Sequence, residues 1–218
     1  MKILGIDHGQ KKCGIANAVF NIASPYKTVL NNELITFFKK EGVNKDTIIV
    51  YGLPLSMSGR FSNQTYNVIK SAIEVKTTYG CKIIFIDERL TSKTLFTELK
   101  GVVKSKKIKK TKDQNSSSLI LSVYLANKNA GIELKEKKVY NIVHQIKSKK
   151  TLVYETAIKN IKDIENFYIF TKDPWIFWYY FSQGIKSINI EKDLEEYDVL
   201  ICSEEKNIDL KYNEKMCL

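Results

Sequence analysis

The sequence is poor in the residues that most often carry covalent or metal chemistry. Its 218 residues include four cysteines, Cys13, Cys81, Cys202 and Cys217, with no CxxC pair, and two histidines, His8 and His144, far apart. A structural zinc site wants four clustered Cys/His ligands and a disulfide framework wants a denser cysteine pattern, so neither is expected. Neither histidine has the context that nucleophilic catalysis by a Ser/His/Asp or Cys/His set requires. No apolar run approaches the ~18 residues of a membrane span. The opening Met1-Lys2-Ile3-Leu4-Gly5-Ile6-Asp7 lacks the basic head, long apolar stretch and cleavage site of a signal peptide. A cytoplasmic protein with no membrane partner is the expectation. Arginine is scarce too: Arg60 and Arg89 stand against 33 lysines.

What is present is an ordinary globular composition with a strong positive bias. Apolar residues make up 44% and charged residues 27%, enough for a sizeable core. The net charge is +11, and it is uneven. Residues 1–130 hold 21 basic and 9 acidic side chains; residues 131–218 hold 14 and 15. A lysine-rich coding bias explains the choice of Lys over Arg but not the asymmetry. A basic first unit reads as a polyanion binder, nucleic acid first, joined to a near-neutral unit with another role.

The apolar pattern predicts the elements. Residues 2–7 form a short strand ending in an acid, and 13–19 and 23–30 form two more. A helix is expected at 32–42, a buried β-branched strand at 47–53 and a helix at 64–79. Another buried strand is expected at 82–87, a helix capped by Thr91 runs through about Leu99, and a last helix capped by Asp113 spans about 114–127. Three strands with short links make an antiparallel meander, and the two later strands enter through helices, parallel to the first. The expected fold class is α/β: a mixed five-stranded sheet with flanking helices over 1–130, a polar linker at 131–150, and a small α/β domain at 151–218. In the last, strands are expected at 151–155, 166–171, 187–190 and 197–202. The run Asp173-Pro174-Trp175 through Gly184 reads as cap, first turn, helix and C′ glycine. Nine of the 24 aromatics fall in 167–181; at helical spacing they read as core or interface rather than as a base-stacking platform.

The acids fall where chemistry is possible. Asp7 ends the first strand, Glu88 follows the fifth, and Asp113 opens the last helix. In parallel strands the C-terminal ends share one edge, so these carboxylates converge there. Three acids at one point repel each other, and a divalent cation with hard oxygen ligands, Mg2+ or Mn2+, resolves the repulsion. Strand alternation points Asp87 away from Glu88 and toward a structural hydrogen bond.

Four ordered segments resemble one family. Gly5-Ile6-Asp7-His8-Gly9-Gln10-Lys11-Lys12-Cys13-Gly14 is similar to the opening motif of the YqgF/RuvX nucleases, Tyr51-Gly52-Leu53-Pro54-Leu55 to their GLP loop and Asp87-Glu88-Arg89-Leu90-Thr91 to their DERLT motif. The segment from Asp113 to Leu125 is similar to their last helix. The family is RNase H-like and is assigned to Holliday-junction resolution or to maturation of the 5′ end of pre-16S rRNA. The resemblance covers about residues 1–130. It implies Asp7, Glu88 and Asp113 as catalytic metal-binding acids, Mg2+ or Mn2+ as cofactor, and pre-rRNA or branched DNA as partner. Three departures affect the substrate loops and leave the acids intact: Lys12 where the family often has Arg, Ser56 for Asn, and Ser116-Ser117 for two alanines.

Nucleic-acid contact is expected from Lys11 and Lys12 in the first hairpin, from Arg60 and Arg89, and from Lys106, Lys107, Lys109 and Lys110 within a segment holding seven lysines in 13 residues. Arg89 has a second reading as a brace for the acidic cluster. The expected function is a metal-dependent endonuclease for 5′ maturation of pre-16S rRNA. The alternatives are a Holliday-junction resolvase and a non-catalytic nucleic-acid scaffold. The C-terminal domain is expected to serve as a dimer interface or to hold a protein partner.

Overall fold

Strand β1 (Ile3–His8) lies at the centre of the first unit because both its faces are covered. Ile3, Leu4 and Ile6 are all buried. β2 (Lys12–Val19) and β3 (Ile22–Leu30) continue from it as an antiparallel meander. Short helix α1 (Leu34–Lys40) then leads to β4 (Ile48–Leu53), and α2 (Asn63–Tyr79) leads to β5 (Lys82–Asp87). β4 pairs parallel with both β1 and β5. The computed structural model describes residues 1–91, 116–142, 149–161, 164–203 and 210–218.

The chain divides into two compact units, one of Met1–Met57 with Phe61–Leu134 and one of Ser58–Arg60 with Lys135–Leu218. The first unit carries a mixed sheet of order β3-β2-β1-β4-β5-β6. The sixth strand corrects the expected five: β6 (Ile132–Glu133) adds two residues antiparallel to β5, inside the stretch expected to be a linker. Strand β7 (Val139–Asn141) lies in that stretch as well. The predicted helix at 32–42 is shorter, since residues 31–33 form a 3-10 turn before α1.

Helix α3 (Ser116–Ala126) is apolar on nearly every side and buries Ile120, Leu121, Val123, Tyr124 and Leu125. These pack with Ile3, Val50, Ile84 and Ile86 on one face of the sheet. Burying each such side chain stabilises the fold by about 1.5–3 kcal/mol. The close approach is possible because β1 has a glycine there. A Cβ on Gly5 would lie 2.6 Å from the Ser117 carbonyl oxygen and 2.7 Å from Leu121 Cβ.

On the other face, α2 buries Thr65, Val68, Ile69, Ala72 and Val75. Ser62 caps it, accepting from the Thr65 N–H, while the Thr65 hydroxyl reaches back. Gly80, at φ +65°, closes its C-terminus.

The second unit holds a five-stranded, wholly parallel sheet of order β11-β10-β8-β12-β13. Its strands are β8 (Thr151–Tyr154), β10 (Phe167–Phe170), β11 (Ser187–Ile188), β12 (Tyr197–Cys202) and β13 (Tyr212–Cys217). β9 (Ala157–Lys159) pairs separately with β7. In chain order the five strands sit 3-2-1-4-5, so the first is central and winding proceeds outward to both sides.

Helix α4 (Pro174–Phe181) starts where the sequence predicts. The Asp173 side chain accepts from the Trp175 and Ile176 N–H groups, with Pro174 in the first turn. At its end Gly184, at φ +77°, donates to the Phe181 carbonyl and Ile185 donates to the Tyr180 carbonyl. Trp175, Phe177 and Tyr180 are buried, and the Tyr180 hydroxyl accepts from Ile158 N–H while donating to the Thr156 carbonyl. These aromatics are core.

Candidate active site

The C-terminal edge of the first unit's sheet is built by alternation. Ile3, Gly5 and Asp7 point to the α3 face of β1, Val50 and Gly52 to that face of β4, and Ile84 and Ile86 to that face of β5. Glu88 directly follows β5 and its carboxylate comes to the same face. A Cβ on Gly52 would meet Glu88 Oε1 at 2.6 Å and Ile120 Cδ1 at 2.6 Å. Gly52 is one step beyond the Ile6–Tyr51 pairing, so it neighbours Asp7 across β1 and β4. Its missing side chain therefore makes the room that the Glu88 carboxylate and Ile120 fill, on the strand next to Asp7.

The electrostatics follow from that geometry. Burial pushes the Glu88 carboxyl up from its ordinary 4.5 to about 7, and the charges on Asp7 and Asp87 add to the rise. Burial raises Asp7 as well, opposed by a hydrogen bond from the Ser116 side chain at the start of α3 and by His8. Two half-buried carboxylates held this way are compensated by a proton on Glu88 or by an external cation. Both carboxylates offer only hard oxygen donors, the set that suits Mg2+ or Mn2+ rather than zinc. Among the described residues no group of three His, Cys, Asp or Glu side chains that could hold a metal comes together; Asp7 and Glu88 meet, and Asp113 lies outside the described residues.

The helix after β5 begins at residue 88, not with Thr91 as its cap. Asp87 takes that role because its carboxylate sits at the strand end: it accepts from the Arg89 N–H at 2.9 Å. Arg89 closes back on it, Nε at 3.0 Å from each carboxylate oxygen and Nη2 at 2.6 Å from Oδ2. Thr91 lies inside the helix, its hydroxyl donating to the Glu88 carbonyl at 2.6 Å.

The other predicted contacts divide. Lys11 and Lys12 are exposed at the β1–β2 turn, directly before the Cys13 that pairs with His8. Arg60 groups with the second unit, where its Nε and Nη2 hold both oxygens of Asp193 at 2.7–3.0 Å. Lys106, Lys107, Lys109 and Lys110 lie outside the described residues. Burial, with Asp7 nearby, pushes the Cys13 thiol up to about 12, so it stays protonated at neutral pH.

A model of the RuvX family, described as Holliday junction resolvase, matches residues 1–127. The chain belongs to the RuvX family. Membership places it among nucleases, with nucleic acid as substrate.

A "putative pre-16S rRNA nuclease" of Thermotoga maritima is 28% identical over 226 aligned positions, 99% of this chain and 94% of that one. That similarity runs through the second unit too. Proteins of the same name from Rickettsia felis and Rickettsia typhi are each 35% identical over 130 residues, 56% of this chain and 84% and 83% of theirs. The solved structure of T. thermophilus RuvC with a Holliday junction substrate aligns at TM-score 0.42 and 10% identity over 62% of this chain and 99% of that one, a likeness too loose to carry an argument.

Sequence reading missed two contributors. Gly52 reads as part of a loop motif, yet its lack of a side chain lets the Glu88 carboxylate and Ile120 approach the strand. Ser116 looked like a neutral replacement for alanine, yet it hydrogen-bonds Asp7. A glycine inside an otherwise β-branched strand was the available signal for the first.

Proposed function

We propose that this chain is a divalent-metal-dependent endonuclease that matures the 5′ end of pre-16S rRNA. The observation that carries the reading is the pair of half-buried carboxylates, Asp7 and Glu88, flanking the side-chain-free position at Gly52. The names of the Thermotoga and Rickettsia relatives support the RNA substrate. Asp7, Glu88 and Asp113 would hold Mg2+ or Mn2+, which when bound polarises the phosphodiester and lowers the pKa of its water.

The chain's own residues do the rest. Glu88 shares protons near neutral pH, so its carboxylate is released for binding as pH rises through about 7. Ser116 holds the Asp7 carboxylate in place. Lys11 and Lys12 attract the backbone to the edge, and Lys106, Lys107, Lys109 and Lys110 extend that field. Hydrolysis leaves a 5′-phosphate and a 3′-hydroxyl. The work is cytoplasmic, and the second unit serves assembly with a copy or a protein partner.

The family description favours a second reading, Holliday-junction resolution. That needs two active sites on a symmetric dimer, which RNA trimming does not. The test is cleavage of a 5′-extended 16S precursor and a four-way DNA junction side by side in Mg2+ and Mn2+, with Asp7→Asn as control. Cutting of the RNA alone, lost in the variant, is the expected result. Symmetric cutting of the junction alone would move the function to recombination, and binding of both with no cleavage would favour a scaffold.

A further inference from the structure

On the α2 face of the same edge lies an open cleft of about 800 Å3, six of whose twelve lining residues carry side-chain amides. One wall is the β1–β2 turn with His8, Gly9 and Gln10; another is Asn31 and Asn32, directly after β3; the third is Ser62 with α2 as far as Glu74. On α2 the lining residues 63, 67, 70 and 74 recur at helical spacing, a stripe beside the buried one. Gln10, Asn32, Gln64 and Asn67 are exposed to solvent.

The walls are held independently of any ligand. The Asn31 amide donates to the Gly9 and Gln10 carbonyls at 3.0 and 3.1 Å and accepts from the Cys13 thiol at 3.2 Å. The Gly9 N–H closes the turn on the Lys12 carbonyl at 3.1 Å. The Thr65 hydroxyl ties α2 to the Pro54 carbonyl. The volume is within the range of small-ligand sites, about 300–1,000 Å3.

The chemistry of the walls selects the ligand. A carboxamide carries a donor and an acceptor on one planar group, the same complement a base edge presents. Lys70 and Glu74 balance each other, so the cleft is not an anion site. Asp7 and His8 are consecutive and face opposite sides of the sheet. A strand that rounds the end of β1 therefore meets the carboxylates on one side and the cleft on the other. Bases are open to such reading only where they are unpaired.

We propose that this amide-lined cleft reads one unpaired nucleobase of the substrate strand, next to the bond that is cut. The inference deepens the nuclease reading and takes its ligand class from it. Base reading here sets a sequence preference beside the cleavage position that lysine contacts cannot supply.

The experiment measures binding of short labelled oligo-A, oligo-C and oligo-U, as ribo and deoxyribo series, to the full-length protein in EDTA. The expected result is a preference of about tenfold or more for one base. Gln64→Ala with Asn67→Ala, both at exposed positions, reduces that preference to within about twofold. Lys12→Gln instead weakens all oligomers alike and lowers the salt slope by about one. The same preference in both series assigns the contact to the base; preference in the ribo series alone adds the 2′-hydroxyl and identifies the source as RNA. Equal binding of all three bases by the wild type, or an undiminished preference in the double variant, would overturn the proposal. The nuclease reading fails separately: a retained preference with no cleavage in Mg2+ would remove the chemistry and leave the cleft.

Discussion

Asp7 and His8 are neighbours on β1, and they open onto two different surfaces. On the α3 side, glycines at positions 5 and 52 let a buried helix and an acidic side chain come close, and there the Asp7 charge helps to raise the Glu88 carboxyl. On the α2 side a solvated helix flank and two turns leave a cleft lined with neutral amides. One sheet edge thus separates the carboxylate pair, the proposed cation site, from a surface rich in hydrogen-bonding groups. The difference arises from what packs on each face: α3 is nearly all apolar and sinks onto the sheet, whereas α2 buries one stripe and exposes the next.

The comparison breaks most sharply at the acids. Asp7→Asn is expected to lower cleavage by about 10³-fold, the loss of several kcal/mol of charge stabilisation at the phosphodiester. Gel cleavage assays check this. Gly52→Ala comes next. Its methyl group would push on Glu88 Oε1 and Ile120 Cδ1, each at 2.6 Å, costing about 1–3 kcal/mol of stability and displacing the carboxylate. Urea denaturation and metal titration read the two effects, and a variant as stable and as active as wild type would contradict the packing described.

A pH dependence sharpens the same contrast. In the folded, metal-free protein Glu88 keeps its proton up to about pH 7, whereas the unfolded chain loses it near 4.5. Between those values the native state binds more protons, so its stability falls as pH rises. The melting temperature of wild type should drop relative to Glu88→Gln between pH 5 and 8, and Mg2+ should reduce the difference at pH 8. The smallest effect belongs to Ser116→Ala, which removes the hydrogen bond that lowers the Asp7 pKa. About 0.5–1.5 kcal/mol is at stake, a severalfold weaker metal affinity by calorimetry.

Much of this was legible because it is local. The apolar runs at 2–7, 47–53 and 82–87 define central strands by composition alone, and acids at their ends share an edge once the strands run parallel. The α4 boundaries could be read for the same reason, since Asp173, Pro174 and Gly184 each act within one turn.

What was hidden depends on distance in sequence. The cleft draws on residues 8–10, 31–32 and 62–74, and no single segment looks like a site. The partner of Arg60, Asp193, is 133 positions away. Asp87, rather than Thr91, caps the helix after β5 because the chain turns helical directly at the strand end, which propensity cannot reveal. β6 is two residues long and exists only through pairing with β5.

The most direct measurement is single-turnover cleavage of a 5′-extended 16S precursor by wild type and Glu88→Gln in Mg2+, with binding of the same RNA measured in EDTA. The carboxylate face predicts that the variant binds the RNA as wild type does and cuts it about 10³-fold more slowly. Cleavage by Glu88→Gln at the wild-type rate would contradict the assignment of this edge as the catalytic centre.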